Sequence, residues 1–187
     1  MFKIAVLAST KGTDLQAIIN EMKADKMPGI ELSVVISNKE DCYALQRAKE
    51  QGYETVFIDS KKEDFDKEAL KHLEDINLIV LVGYMRILSP EFVKKFPKKI
   101  INVHPSLIPK YSGKSFYGDK IYQTILDAGD KETGMTIHYV EEGVDNGEII
   151  LQKTCKVEED ETLETLKEKV QALEKEWYPE VIRDLAK

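Results

Sequence analysis

Cysteine is scarce in this chain of 187 residues, with Cys42 and Cys155 standing alone. Neither belongs to a Cys-x-x-Cys pair or sits beside a histidine, so the spacing supports neither a zinc site nor a disulfide framework. Both read as ordinary reduced thiols, and no metal is expected. Long hydrophobic runs are missing too. No unbroken apolar stretch is longer than Leu78–Val82, far below the ~20 residues of a membrane span. The opening MFKIAVLAST runs straight into a strand-like segment, without an apolar region of secretory length. Positive charge is also in short supply: 27 Lys and Arg face 34 Asp and Glu, for a net charge of −7. That balance removes electrostatic support for nucleic-acid or anionic-membrane partners. The expectation is a soluble, cytoplasmic protein that handles small molecules. Nucleotide loops are absent as well. The first loop lacks G-x-G-x-x-G. The GKS at 113–115 would need glycine at position 108 to make a phosphate loop, and Ile108 stands there.

Short aliphatic runs alternate with amphipathic stretches. Strands are expected at Lys3–Ala8, Glu31–Ile36, Glu54–Ile58, Leu78–Val82 and Ile100–Val103. Helices are expected at Asp14–Lys23, Tyr43–Gln51, Phe65–Glu74 and Pro90–Phe96. Near-continuous apolar strands separated by helices predict an α/β fold: an open, mostly parallel, twisted sheet with helices on both faces. After Gly118 another helix fits through Ala128. TGMTIHYV and GEIILQKT then read as an antiparallel pair, because EEGVDN between them is too short for a crossover helix. A last helix runs from Leu163 to Trp177, with Leu163, Leu166, Val170, Leu173 and Trp177 at steps of three and four. No repeat or linker interrupts the pattern, and a single domain over 1–187 is expected. A chain of this length buries ~70% of its unfolded surface.

Ligands of open α/β sheets bind outside the carboxyl ends of the strands, which directs attention to three loops. In STKGTDLQ, residues 9–16, Gly12, Thr13 and Asp14 let backbone N–H groups face outward at a helix start, a setting that attracts phosphate. On residues alone, a plain turn with Thr13 or Asp14 as N-cap is the simpler account. In GYMRILSP, residues 83–90, Gly83 frees the backbone, and Met85, Ile87 and Leu88 suit a flat heteroaromatic ligand or ordinary packing equally well. In INVHP, residues 101–105, Asn102 and His104 are two apart and so share a face. Pro105 holds His104 extended at the strand end. Two acidic residues join them: Asp145 in the loop before the last strand, and Glu174 at the edge of the last helix's apolar stripe. His72 reads as part of a charged helix surface, and mid-strand His138 as structural.

NVHPSLIP, GYMRILSP, GMTIHYVEEGVDNGEIILQ and LEKEWYP, in that order, resemble the phosphoribosylglycinamide formyltransferase family, folate-dependent enzymes of purine biosynthesis. The resemblance covers essentially the whole chain and implies a Rossmann-like formyltransferase fold. It assigns Asn102, His104 and Asp145 to catalysis, and Gly12, Thr13, Asp14 and Glu174 to the phosphate-bearing substrate. It assigns Met85, Arg86, Ile87 and Leu88, with Asn102, to the pterin of 10-formyltetrahydrofolate. Lys62 falls where some members place a folate-binding arginine. The implied partners are the two small molecules, with the protein a monomer or homodimer. The chemistry suits these residues: amine attack on a formyl carbon makes an oxyanion, to which an amide N–H and a protonated imidazole can donate.

Two features depart from the family. STKGTD stands where many members have S-G-N-G-S-N, which places the carboxylate of Asp14 near an expected phosphate unless Asp14 turns away to cap its helix. SGKSFYGDKIYQ is longer than in the best-known members, so residues 111–119 carry no assigned contacts. The alternatives are a formyltetrahydrofolate hydrolase, which ordinarily adds an N-terminal regulatory domain, and a methionyl-tRNA formyltransferase, which needs an RNA-binding region. A non-catalytic binding module is the alternative from another class.

Overall fold

The computed structural model describes residues 1–62 and 64–187. Among the described residues, seven strands form one sheet in the order β3-β2-β1-β4-β5-β6-β7. In chain order the elements are β1 (Phe2–Ala8), α1 (Thr13–Lys23), β2 (Ile30–Ser37), α2 (Tyr43–Glu50) and β3 (Thr55–Phe57). They continue with α3 (Phe65–Leu70), β4 (Leu78–Val82), α4 (Pro90–Lys95), β5 (Ile100–His104) and α5 (Asp119–Asp127), then β6 (Glu132–Tyr139), β7 (Ile149–Lys156) and α6 (Leu163–Leu185). The first five strands pair in parallel, β6 adds antiparallel to β5, and β7 adds antiparallel to β6. This is the mostly parallel sheet with antiparallel C-terminal strands that the apolar pattern predicts.

Side-chain alternation divides the core into two layers. Ile4, Val6 and Ala8 of β1 face the layer containing α1, α2, α5 and α6, while Ala5 and Leu7 face α3 and α4. β4 splits in the same way and is buried along its whole length, which explains why its sequence shows no polar alternation. Tyr178 of α6 closes the first layer. It is fully buried, and its hydroxyl donates to the carbonyls of Leu81 at 2.9 Å and Ile101 at 3.1 Å.

Two helices end elsewhere than expected. α3 stops at Leu70 rather than Glu74. The chain tightens there into three-residue turns, His72 N–H to Ala69 O and Leu73 N–H to Leu70 O, which still deliver Leu73 to the core. α6 continues past Trp177 to Leu185. Pro179 gives up one helical N–H but not the packing, since Tyr178, Val181 and Ile182 are buried on either side of it. The buried line of α6 is Leu166, Val170, Glu174, Tyr178 and Ile182, so Glu174 lies in the middle of the stripe rather than at its edge.

Replacing Tyr178 with Phe keeps the ring and removes the donor shared by β4 and β5. We expect a loss of about 1–2 kcal/mol in urea unfolding. An unchanged midpoint would mean that the hydroxyl ties nothing.

Candidate active site

The loops after β1, β4 and β5 leave the same edge of the sheet, and those after β1 and β4 are tied to each other. Ser9 accepts the backbone N–H of Met85 at 3.0 Å and donates to Asn38 at 2.6 Å, joining the loops that follow β1, β4 and β2. Gly83, at φ 52°, passes so close to Thr10 that a Cβ there would lie 2.2 Å from the threonine hydroxyl. Gly12, at φ 68°, is the N-cap of α1, and a Cβ on it would lie 2.6 Å from the Cβ of Ala44. Both positions need glycine, one for each loop's close approach. A cavity of about 590 Å³ opens between these loops, with α5 and α6 on its far side.

Asn102 and His104 line this cavity together with Asp145. The Nδ1 of His104 lies 3.3 Å from Oδ1 of Asp145, and its Nε2 is 2.9 Å from the carbonyl of Tyr111. Two acceptors therefore face the two ring nitrogens, an arrangement that a doubly protonated ring satisfies. The other carboxylate oxygen of Asp145 accepts the Gly113 N–H at 2.8 Å. Burial would raise the Asp145 carboxyl, but the His104 hydrogen bond and charge, aided by Gly113, hold it below its ordinary value. Asp145 adopts φ 50°, a left-handed conformation that aspartate tolerates better than most residues.

His138 belongs to this arrangement more closely than its mid-strand position suggests. It sits opposite Asn102 in the β5–β6 register. Its Nδ1–H donates to the carbonyl of Tyr139 at 2.8 Å, and its Nε2 is 3.3 Å from the amide nitrogen of Asn102. Burial pushes the ring's pKa below its ordinary value, outweighing the Tyr139 carbonyl and the Asp145 charge. Neutral His138 thus accepts one Asn102 N–H and leaves the other for an oxygen in the cavity. A strand-pairing register would have found this residue; spacing along the chain could not.

The remaining assignments divide. Thr13, Asp14 and Glu174 line the cavity, and Gly12 shapes the turn behind them. Neither Thr13 nor Asp14 caps α1: both lie within its first turn, and Gly12 occupies the cap without a side-chain bond. Met85, Arg86 and Ile87 line the cavity, with Met85 48% and Ile87 57% exposed. Leu88 does not. It is buried in the α3–α4 layer, so the packing explanation holds for Leu88 and the open-wall explanation for Met85 and Ile87. Lys62 is also away from the cavity, exposed on the turn after β3 and 3.3 Å from Asp59. The 111–119 loop, to which no contacts were assigned, supplies Lys114, Phe116 and Tyr117 to the wall. Gln171 adds a further polar group from α6.

Removing the imidazole should reverse the balance at Asp145. In a His104→Ala protein we expect its carboxyl to titrate above the ordinary aspartate range, since burial is then opposed mainly by one backbone N–H. Carbon NMR of labelled aspartate in both proteins checks this. An Asp145 value that stays low without His104 would dissolve the pair.

The formyl transferase family model matches residues 2–182. The phosphoribosylglycinamide formyltransferase of Haemophilus influenzae is 41% identical over 98% of this chain and 86% of its own length. The trifunctional purine biosynthetic protein adenosine-3 of Gallus gallus is 40% identical over 98% of this chain, which spans 18% of that larger protein. Among solved structures, glycinamide ribonucleotide transformylase 1 from Symbiobacterium toebii superposes with a TM-score of 0.91 at 36% identity, covering 100% of this chain and 88% of that one. Phosphoribosylglycinamide formyltransferase from Coxiella burnetii gives 0.90 at 39%, covering 97% and 85%. This chain belongs to the formyl transferase family.

Proposed function

We propose that the chain transfers a formyl group from 10-formyltetrahydrofolate to the amine of 5'-phosphoribosylglycinamide, with residues 1–187 acting as one formyltransferase unit. The observation that carries this reading is the meeting of Asn102, His104 and Asp145 at one cavity, in a chain whose whole length matches formyltransferases. The residues present suit a pterin. Met85 and Ile87 offer exposed apolar surface, and the left-handed Gly83 opens the backbone beside them. The bound folate supplies an electrophilic one-carbon unit.

The chain's own groups would do the following. Asn102, oriented by neutral His138, offers its second N–H to the oxygen that gains charge, without changing its own charge. His104, with an acceptor at each ring nitrogen, would place positive charge at the same wall when doubly protonated. Its Nε2–H is given to Tyr111 O in this structure, so direct donation to substrate requires exchanging that bond. Net, the amine loses one proton and the departing folate nitrogen gains one, and the His104–Asp145 pair is the group placed to move it. Thr13, Asp14 and Glu174 line the same cavity, and the phosphate-bearing substrate would lie against them. Among the described residues no cluster of three or more metal-ligating side chains occurs, and no helix is long and apolar enough to cross a membrane.

Incubation with 10-formyltetrahydrofolate should release tetrahydrofolate only when glycinamide ribonucleotide is present. Asn102→Ala should lower kcat ~10²–10³-fold, the usual effect of losing one such donor. Equal release with and without the amine would replace the transferase by a hydrolase.

A further inference from the structure

The steps above leave the chemistry of two buried carboxyls unused. Asp14 and Glu174 are each 6% exposed and line the cavity, Asp14 from the first turn of α1 and Glu174 from α6. Oδ1 of Asp14 has no hydrogen-bond partner among the described residues. Backbone N–H groups at such a helix start favour an anion, yet an ionised Asp14 there would repel one. Few neighbours relieve the conflict. On α6, Lys175 acts on both carboxyls, and Tyr178 is spent on the Leu81 and Ile101 carbonyls. On α5, Tyr122 is a buried phenol held neutral, while Asp119 is paired with Lys167 at 2.5 Å. On α2, Arg47 is turned away to the Lys11 carbonyl and Gln16.

Two adjacent buried carboxyls cannot both ionise cheaply. Burial, against the pull of Lys175, raises Asp14 to about 6. Burial, then the Asp14 charge, raises Glu174 well above its ordinary value. Near neutral pH the pair therefore holds one proton, mostly on Glu174, and one negative charge on Asp14. We propose that this pair is a proton-loaded anion receptor: the substrate's phosphate monoester enters together with one proton, and Asp14, once neutral, donates its O–H to a phosphate oxygen. The inference rests on the transferase reading for the identity of the substrate. It gives Asp14 a use that asparagine, the residue common in the family, would not provide.

The sign follows from linkage. A bound phosphate stabilises the neutral form of Asp14, so its pKa is higher in the complex than in the free protein. Affinity is then full below about pH 6, the free value, and falls by about tenfold per pH unit above it until the complex itself titrates.

Calorimetric titration with glycinamide ribonucleotide, without folate, in buffers of different ionisation enthalpy measures the protons taken up. At pH 7.5 the unaltered protein should take up close to one more proton per ligand than Asp14→Asn. Its affinity should also fall more steeply with pH by up to tenfold per unit. The ligand's own ionisation cancels in that comparison. Infrared difference spectra of the unaltered protein give a second readout, a protonated-carboxyl stretch that appears on binding. Equal proton uptake in both proteins, or no new carboxyl stretch, overturns the proposal while formyl transfer still stands. Failure of both proteins to bind the ribonucleotide at any pH overturns the transferase reading as well.

Discussion

The site depends on the point where the sheet reverses its winding. From β1 the chain proceeds outward to β2 and β3, then returns to lay β4 against the other side of β1 and continues to β5. The loops leaving β1 and β4 must therefore diverge, and the space between them cannot be filled by either crossover. What keeps that space a cavity rather than a gap is the contact between the two loops at their roots. Thr10 packs where Gly83 lacks a side chain, and Ser9 takes the Met85 N–H. The first contact makes glycine obligatory at Gly83, and the second fixes where the exposed Met85 and Ile87 begin.

The fold treats its buried carboxylates in two opposite ways. Asp145 loses hydration but gains an imidazole and a backbone N–H, so it remains charged. Asp14 and Glu174 lose hydration and gain little, so the pair keeps one proton where Asp145 keeps a partner. A buried group without a partner is unfavourable for folding, and packing around Tyr178 and Val170 must offset it. Groups kept unsatisfied at the edge of a cavity are suited to meet something that enters it.

Much of this was legible in the sequence, and the failures have physical causes. The aliphatic runs announced the parallel strands because strands buried on both faces need no polar alternation. Asn102 and His104 were legible because strand geometry fixes their common face, and Pro105 marks the end of the strand. Asp145 required the family resemblance, since a DNG turn looks the same with or without a histidine beside it. Helix length was misread at Pro179 because a proline's lost hydrogen bond weighs less than three buried neighbours. Glu174 looked marginal because it was counted from Leu173, whereas the helix buries the row through Val170 and Tyr178. Gly113, Tyr111 and His138 were not legible, because their roles depend on contacts across the fold that no periodicity encodes.

His104 and His138 show how one short piece of sheet gives two rings different hydrogen-bond partners for two jobs. Both are nearly buried, and both give one N–H to a backbone carbonyl. They differ in the partner of the second nitrogen: a carboxylate for His104, an amide N–H for His138. The carboxylate invites a proton, while the amide donor requires a lone pair. Burial keeps His138 neutral, and a positive charge on His104 would act in the same direction. If His138 were protonated, Asn102 would have to turn its oxygen toward it and withdraw its N–H from the cavity. The antiparallel register that places His138 opposite Asn102, with Asp145 held by the loop leaving β6, thus sets a carboxylate against one ring and an orientation on the neighbouring amide. Neither property belongs to either residue alone.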